Sequence, residues 1–156
     1  MNKNITSQYW MQMIDQLAQA STCRVKIGAI ILKENYVVGM GYTGSVHGDF
    51  HCEENKCLLV NNHGEKGSSD SGESCIRTIH AEMNAILKCE VRGSEKFDWL
   101  TCYCTYMPCL DCFKALLQIG VRTFIYKNWY KDIHRDVYIE HLSYKIRINL
   151  WYARYE

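Results

Sequence analysis

The stretch Pro108-Cys109-Leu110-Asp111-Cys112, together with His80-Ala81-Glu82 upstream, sets both the chemistry and the fold expected of this chain. It supplies one imidazole, two thiols and a carboxylate. Histidine nitrogen and cysteine thiolate are preferred zinc ligands, and one histidine with two cysteines leaves a tetrahedral ion one free position for water. His80, Cys109 and Cys112 are therefore predicted metal ligands of a catalytic site, and Glu82 is a predicted carrier of protons.

The spacing of these residues is compatible with two helix starts. Cys109 and Cys112 share a helix face and fall in the first turn of a predicted helix, where the helix dipole favours thiolate. Glu82 is too close to His80 in sequence to share its face, so Glu82 is expected to reach a bound water and not the metal. A structural zinc or unrelated core residues are the alternatives. The proline before Cys109 and the second helix start at His80 favour a catalytic site.

Length and composition restrict the class of protein. The 156 residues are 47% apolar, enough for one packed domain, predicted over 1–156. The net charge of +1 provides no bulk attraction for a long nucleic acid. Nine cysteines without a signal-peptide pattern indicate reduced thiols and metal binding. We expect a cytoplasmic protein with no membrane span.

Hydrophobic patterning predicts the element order α-β-β-α-β-α-β-α-β, typical of a three-layer α/β domain with a mostly parallel or mixed sheet. On the last helix, Ile133, Val137 and Leu142 are predicted to face the core. Residues 42–78 are predicted to form a Gly/Ser/Cys-rich insertion, which is long for a structureless loop. The predicted helices cover 6–20, 78–89, 109–119 and 132–142, and the predicted strands cover 25–32, 36–40, 99–105, 121–126 and 146–150.

Several motifs together resemble the deoxycytidylate (dCMP) deaminases of the bacterial and phage type. The pattern H-x-E…P-C-x-x-C marks the wider superfamily of zinc-dependent deaminases. Asn84, the segment Gly41-Tyr42-Thr43-Gly44-Ser45 and the Cys-bearing insertion are more specific. The resemblance covers about residues 7–142. It implies an α/β, three-layer α-β-α cytidine deaminase-like fold with a five-stranded mixed sheet.

The resemblance also implies a reaction and its regulation. The implied reaction is hydrolysis of dCMP to dUMP and ammonia for dTTP synthesis, with zinc-bound hydroxide as nucleophile and Glu82 as proton shuttle. A homohexamer, activated by dCTP and inhibited by dTTP, is implied as well. The alternative enzyme is a tRNA or single-stranded nucleic-acid deaminase, which the near-neutral charge disfavours. A nucleotide-sensing module without catalysis would not need Glu82.

Nucleotide-binding residues are predicted partly by position and partly by the resemblance. Thr43 stands where the family usually has Asn, and a hydroxyl replaces the donor and acceptor of an amide. Tyr42, Thr43 and Gly44 are therefore a candidate effector loop in which substrate or effector recognition is altered. Arg24 and Lys26 could equally be a solvated pair at a strand start, and Tyr130 a sheet-edge packing residue. The substrate-binding candidates are Arg24, Lys26, Ala81, Asn84, Tyr106 or Met107, and Tyr130.

Further cysteines lie outside the catalytic motif. A metal cross-link would order an insertion that has little apolar surface to bury. Related phage enzymes carry a second, structural zinc in this region, and free thiols are the alternative. The candidate ligands are Cys23, Cys52, Cys57 and Cys75, with His47, His51 and His63 as substitutes. Cys89, Cys102 and Cys104 are predicted to pack in the core.

Overall fold

The computed structural model describes residues 3–61, 73–90 and 99–153. Within these ranges no helix is both long and apolar enough to cross a bilayer. The helices are α1 (Lys3–Gln19), α2 (Cys52–Asn55), α3 (Ala81–Leu87), α4 (Leu110–Gln118) and α5 (Ile133–Ser143). The strands are β1 (Gly28–Lys33), β2 (Tyr36–Tyr42), β3 (Gly44–Ser45), β4 (Leu59–Asn61), β5 (Glu73–Cys75), β6 (Thr78–Ile79), β7 (Leu100–Tyr106), β8 (Val121–Asn128) and β9 (Asn149–Tyr152).

A five-stranded mixed sheet forms the middle layer, in the order β2-β1-β7-β8-β9. β1 pairs antiparallel with β2 and with β7, whereas β7, β8 and β9 run parallel. Because β7 and β8 are parallel, their carboxyl ends meet at one edge of the sheet, and α4 and α5 begin there. The predicted α/β class with a five-stranded mixed sheet is confirmed.

The alternation of side chains along β1 divides the core between the two faces of the sheet. Ile30 packs with Ile14 of α1 on one face. Ile31 points to the other face and belongs to a cluster with Ala85 of α3 and Phe113 of α4. Helices therefore cover both faces of the sheet, which confirms the predicted three-layer arrangement.

Two glycines of β2 set how closely α3 approaches the sheet. A Cβ added at Gly41 would lie 2.4 Å from the backbone oxygen of Ala81, and one at Gly39 would lie 2.5 Å from that of Ala85. Both distances are below the 3.0 Å that real Cβ atoms respect. The glycines thus permit backbone contact between α3 and β2, and this contact determines where His80, just before α3, is placed.

Several predicted boundaries are wrong by three residues: α1 begins at Lys3 and not at 6, and β1 begins at Gly28 and not at 25. Residues 78–79 form β6, paired with β3, and do not open the helix, which starts at Ala81. The last strand is Asn149–Tyr152 and not 146–150. Ile146 and Ile148 still pack against the core from the segment before the strand. The alternating hydrophobicity correctly predicted that these two side chains contact the core. They lie before the first residue of β9, however, and so do not belong to the paired strand.

The inward face of α5 also differs from the prediction. Ile133 and Val137 are 57% and 63% exposed. Leu142 packs against the core as expected, and Arg135 is fully buried. The prediction placed apolar side chains inside and charged ones outside. Arg135 breaks that rule because backbone carbonyls and a carboxylate around it accept its hydrogen bonds.

Candidate active site

His80, Cys109 and Cys112 converge beside the carboxyl end of β7. His80 is the N-cap of α3 and Cys109 is the N-cap of α4, while Cys112 lies in the first turn of α4. The Nδ1 atom of His80 lies 3.5 Å from the Sγ atoms of both Cys109 and Cys112. All three ligand atoms lie within 4.8 Å of one another. The structure thus brings together the three predicted ligands.

The separations within this catalytic cluster suit zinc. Zn–S bonds of about 2.3 Å and Zn–N bonds of about 2.0–2.1 Å place sulfur and nitrogen about 3.6 Å apart on the edge of a tetrahedron. The observed Nδ1–Sγ distances are 3.5 Å. Both cysteines are buried, whereas His80 is exposed, so the cluster opens to solvent on the histidine side.

Hydrogen bonding within the cluster separates the two thiols in acidity. The hydrogen bond from Cys112, helped by one from His80, lowers the pKa of Cys109 to about 4. The same thiol pairing, together with burial, raises the pKa of Cys112 above its usual range. The hydrogen bond to Cys109 raises the pKa of His80 to about 9. A divalent cation would displace the remaining protons, since zinc ligands bind in deprotonated form.

Glu82 lies in the first turn of α3 and is 4% exposed. Burial raises the pKa of its carboxyl group to about 7, although the nearby His80 acts in the opposite direction. A carboxyl group with a pKa near neutrality can both accept and return a proton. Glu82 is outside the ligand cluster that the described residues form. Its burial and raised pKa are compatible with proton transfer, the role that the sequence analysis predicts for it.

The other predicted substrate residues differ in burial. Tyr130 is half-buried, and burial raises the pKa of its hydroxyl group, with the charges of Cys109 and Glu82 acting in the same direction. Ala81 and Met107 are buried and Tyr106 is half-buried, next to the ligand-bearing elements. Arg24 and Lys26 are exposed in the loop before β1.

Asn84 and Thr43 tie backbone segments together next to the site. The Asn84 side chain donates a hydrogen bond to the Tyr42 carbonyl at 2.9 Å. Thr43 is buried, and its hydroxyl donates to the Val25 carbonyl at 2.9 Å and accepts from the Ile27 N–H at 3.2 Å. The threonine that departs from the family pattern thus connects the end of β2 to the loop before β1.

Sequence patterning missed two residues of the site, Asp132 and Arg135. Asp132 is the N-cap of α5, and its carboxylate also accepts a hydrogen bond from the N–H of Leu110. Arg135 donates to the carbonyl groups of Pro108 and Tyr130. The only local signal was an aspartate at a predicted helix start. The local sequence pattern does not distinguish a buried arginine from an exposed one.

A second cluster of thiols, the insertion cluster, consists of Cys52, Cys57 and Cys75. Their Sγ atoms lie within 4.8 Å of one another, and those of Cys52 and Cys75 are 3.8 Å apart. Two sulfurs on a tetrahedral zinc ion are also separated by about 3.8 Å. Burial and hydrogen bonds with the other two thiols raise the pKa of Cys52 to about 12. Burial acts to raise the pKa of Cys75 too, but hydrogen bonds led by the Arg77 N–H lower it.

Among the described residues, the candidates Cys23, His47 and His51 are not part of the three-thiol cluster. Cys23 is buried with its sulfur 3.5 Å from the Thr78 hydroxyl. His51 is exposed and its Nδ1 lies 3.1 Å from the Thr22 hydroxyl. His47 is exposed, and His63 lies outside the described residues. Of the cysteines predicted to pack in the core, Cys102 and Cys104 are buried and Cys89 is half-buried.

Comparison with known proteins assigns the chain to a family. Residues 4–128 match the cytidine and deoxycytidylate deaminase zinc-binding region, and the chain belongs to this family. It is 39% identical over 126 residues to ComE operon protein 2 of Bacillus subtilis, which covers 80% of this chain and 60% of that protein. It is 30% identical over 156 residues to deoxycytidylate deaminase of Enterobacteria phage T2, which covers 78% of this chain and 82% of the phage protein.

A solved structure is similar over nearly the whole chain. The dCMP deaminase from the cyanophage S-TIM5, in complex with dCMP and dUMP, superposes with a TM-score of 0.69 and 27% identity. The match covers 98% of this chain and 99% of the cyanophage chain. The predicted resemblance to dCMP deaminases of the phage type is confirmed.

Proposed function

We propose that this protein hydrolyses dCMP to dUMP and ammonia, and so supplies dUMP for dTTP synthesis. The observation that carries the proposal is the convergence of His80, Cys109 and Cys112 beside the buried carboxyl group of Glu82. The likeness to the S-TIM5 enzyme, whose structure holds dCMP and dUMP, supports this substrate over other amino-bearing bases.

The roles of the residues follow from their positions. A zinc ion held by His80, Cys109 and Cys112 would supply an activated water. Glu82 accepts one proton from the attacking water and delivers it to the ring nitrogen. It then accepts the second proton, from the hydroxyl now on the carbon, and delivers it to the departing amine. Water adds to the amine-bearing carbon, and the C–N bond breaks to release ammonia. Tyr130 is half-buried, and we assign it to the lining of the substrate site.

Nucleotide recognition is assigned to groups around this centre. Backbone groups of Ala81 and of Tyr106 or Met107 read the edge of the pyrimidine. The remaining candidates for the sugar and phosphate are Arg24, Lys26, Asn84 and Tyr130. The exposed position of Arg24 and Lys26 leaves their charges available to a phosphate.

A structural zinc, regulation and assembly complete the proposal. The insertion cluster supplies three thiolates at a spacing that suits zinc. The family resemblance supports activation by dCTP, inhibition by dTTP and a homohexamer. The segment of Tyr42, Thr43 and Gly44 remains the candidate effector loop. Since the Thr43 side chain is buried, any contact of this loop with an effector involves its backbone or its neighbours.

The substrate is tested by ammonia release from dCMP, CMP and deoxycytidine at matched concentrations. The proposal expects dCMP to have the highest kcat/KM, and deoxycytidine to react slowly because it lacks the phosphate. Equal rates on dCMP and deoxycytidine would overturn phosphate recognition. Faster turnover of a cytosine in a single-stranded oligonucleotide, or of an adenine in tRNA, would favour the alternative enzyme.

Regulation and assembly are measured separately on the same protein. We expect dCTP to raise and dTTP to lower the rate on subsaturating dCMP. Light scattering is expected to give the mass of a hexamer. A rate that does not respond to either nucleotide contradicts the regulatory part of the proposal and leaves the substrate assignment intact.

A further inference from the structure

We propose that Asp132 and Arg135, at the start of α5, are positioning residues that hold the backbone around Cys109 in the geometry needed to bind the metal. This inference rests on the proposed catalytic zinc. It assigns to α5 a part in the site that the sequence motif of His80, Cys109 and Cys112 does not contain.

The two residues hold the peptide groups on either side of Cys109. The Oδ2 atom of Asp132 accepts a hydrogen bond from the Leu110 N–H at 3.1 Å. The Nη1 atom of Arg135 donates to the Pro108 carbonyl at 3.2 Å. Leu110 and Pro108 are the neighbours of Cys109 in the chain. The backbone of this ligand is therefore fixed from both sides by one helix end.

The helix end itself is held firmly. Asp132 is 6% exposed and Arg135 is fully buried. The second carboxylate oxygen of Asp132 accepts the Arg135 N–H at 3.0 Å and so caps α5. The Nε and Nη2 atoms of Arg135 donate to Asp136 at 3.0 and 2.9 Å. Because its nitrogen atoms donate hydrogen bonds in several directions, the guanidinium group is held in one orientation.

Core packing alone does not explain why an arginine is buried at position 135. A buried charge has a desolvation cost, and a well-packed apolar side chain is often as stable or more so. Arg135 instead presents donors to two carbonyl groups that belong to the site, those of Pro108 and Tyr130. This arrangement is the one expected when a residue orients metal ligands through hydrogen bonds.

Arg135 also connects the loop of Cys109 to the aromatic residues that precede α5. Its Nη2 atom donates to the Tyr130 carbonyl at 2.8 Å. The guanidinium carbon lies 4.4 Å from the ring centre of Trp129 and 4.9 Å from that of Tyr130. One side chain therefore holds both the loop of Cys109 and the aromatic residues that precede α5.

The decisive variant is Asp132→Ser. A serine still caps α5, because its hydroxyl accepts from the first turn of the helix, but it is too short to reach the Leu110 N–H as well. Asp132→Ala removes both bonds. Leu142→Ala is the matched control, since Leu142 packs against the core from the last turn of α5 and takes no part in the hydrogen bonds to Pro108 and Leu110. Zinc release from each purified holoenzyme to a chelator is followed with a metal indicator, beside the Tm of each variant.

We expect Asp132→Ser to release the catalytic zinc about 10–100-fold faster than the parent protein, as is usual for loss of an outer-shell partner. Leu142→Ala is expected to lower the Tm without speeding release. The release phase of the catalytic site is identified by its absence in Cys112→Ser. Release from Asp132→Ser at the parent rate overturns the inference, as does equal acceleration in Leu142→Ala at a similar Tm.

Arg135→Lys provides an independent measurement, because lysine keeps the charge but lacks the planar fork that reaches Pro108, Tyr130 and Asp136 together. We expect faster zinc release and a kcat/KM for dCMP lowered by about 10–100-fold. If Arg135→Lys does not fold, Asp132→Ser decides. If the parent protein and Cys112→Ser show the same zinc release, the catalytic ligands hold no zinc. That result overturns the proposed function itself, and the inference with it.

Discussion

The catalytic cluster and the insertion cluster present thiols at similar spacing in very different surroundings. His80, Cys109 and Cys112 lie at the starts of α3 and α4, which pack on the five-stranded sheet. Cys52 begins a helix of 4 residues, and Cys75 ends a strand of 3 residues in a two-stranded sheet. Only the catalytic cluster has a buried carboxyl group of raised pKa beside it, among the described residues.

This difference teaches what a metal would do at each site. Burial of apolar side chains positions α3 and α4, so the catalytic ligands converge through the core. Elements as short as α2, β4 and β5 bury little apolar surface and gain order from a cross-link. We infer that the fold itself positions the catalytic cluster, whereas a metal bound at the insertion cluster would order the short elements around it.

Replacing Glu82 with glutamine is expected to have the largest effect. Glutamine keeps the size of the side chain but cannot carry a proton, so kcat should fall by about 100–10,000-fold. Zinc content and Tm should not change, because Glu82 lies outside the ligand cluster. Ammonia release and metal analysis measure the two quantities. Glu90→Gln, at an exposed position after α3, is the matched control and should retain full activity. Turnover by Glu82→Gln at the control rate would show that another group moves the proton.

Paired serine variants break the comparison directly. Cys112→Ser should lose one zinc and all measurable activity, with amide exchange in the insertion unchanged. Cys75→Ser should lose the other zinc and retain activity at low temperature. Amide exchange over 52–61 and 73–79 should become about 10-fold faster or more, because local opening of these segments then costs less free energy. Mass-spectrometric exchange and metal analysis provide the readout. One zinc in the parent protein, or identical exchange in both variants, contradicts the contrast between the clusters.

Gly41→Ala disturbs the catalytic cluster from the side of the core. The added Cβ would lie 2.4 Å from the Ala81 oxygen, so α3 must move away from β2. We expect a loss of about 1–3 kcal/mol in the free energy of unfolding, typical of overpacking, and weaker zinc binding because His80 moves with α3. Gly44→Ala is the control, since its Cβ would meet nothing within 4 Å. Urea unfolding compares the two, and equal midpoints would refute the close-contact argument.

Thr43→Val is expected to have the smallest effect of the four. Valine keeps the shape of threonine but loses the hydrogen bonds to Val25 and Ile27 and the hydroxyl contact with Ser21. At about 1 kcal/mol for each such bond, a cost of about 2 kcal/mol is expected. Thr43→Ser keeps the hydroxyl and should lie closer to the parent protein in urea unfolding. A Thr43→Val protein as stable as the parent would mean that other contacts hold the end of β2 against the loop before β1.

Much of the catalytic site could be predicted because its signal is local. Cys109 and Cys112 lie within one helical turn, and His80 and Glu82 lie at one helix start. Local helix geometry therefore fixes the relative positions of the two residues in each pair. The insertion cluster was predicted only as a set of candidates. Cys57 and Cys75 meet because β4 and β5 pair, and that pairing joins residues on either side of a segment without a strong pattern. No sequence rule could choose Cys57 over Cys23.

The sequence by itself determined the ligand chemistry, the layered α/β fold and the order of its main elements, because each depends on the spacing of side chain types along the chain. Only the tertiary structure decided that Arg135 is buried, that Ile133 and Val137 are exposed, and that Thr43 joins two backbone segments. These outcomes depend on which carbonyl and N–H groups meet a side chain across the fold. Patterns of hydrophobicity carry no information about such partners.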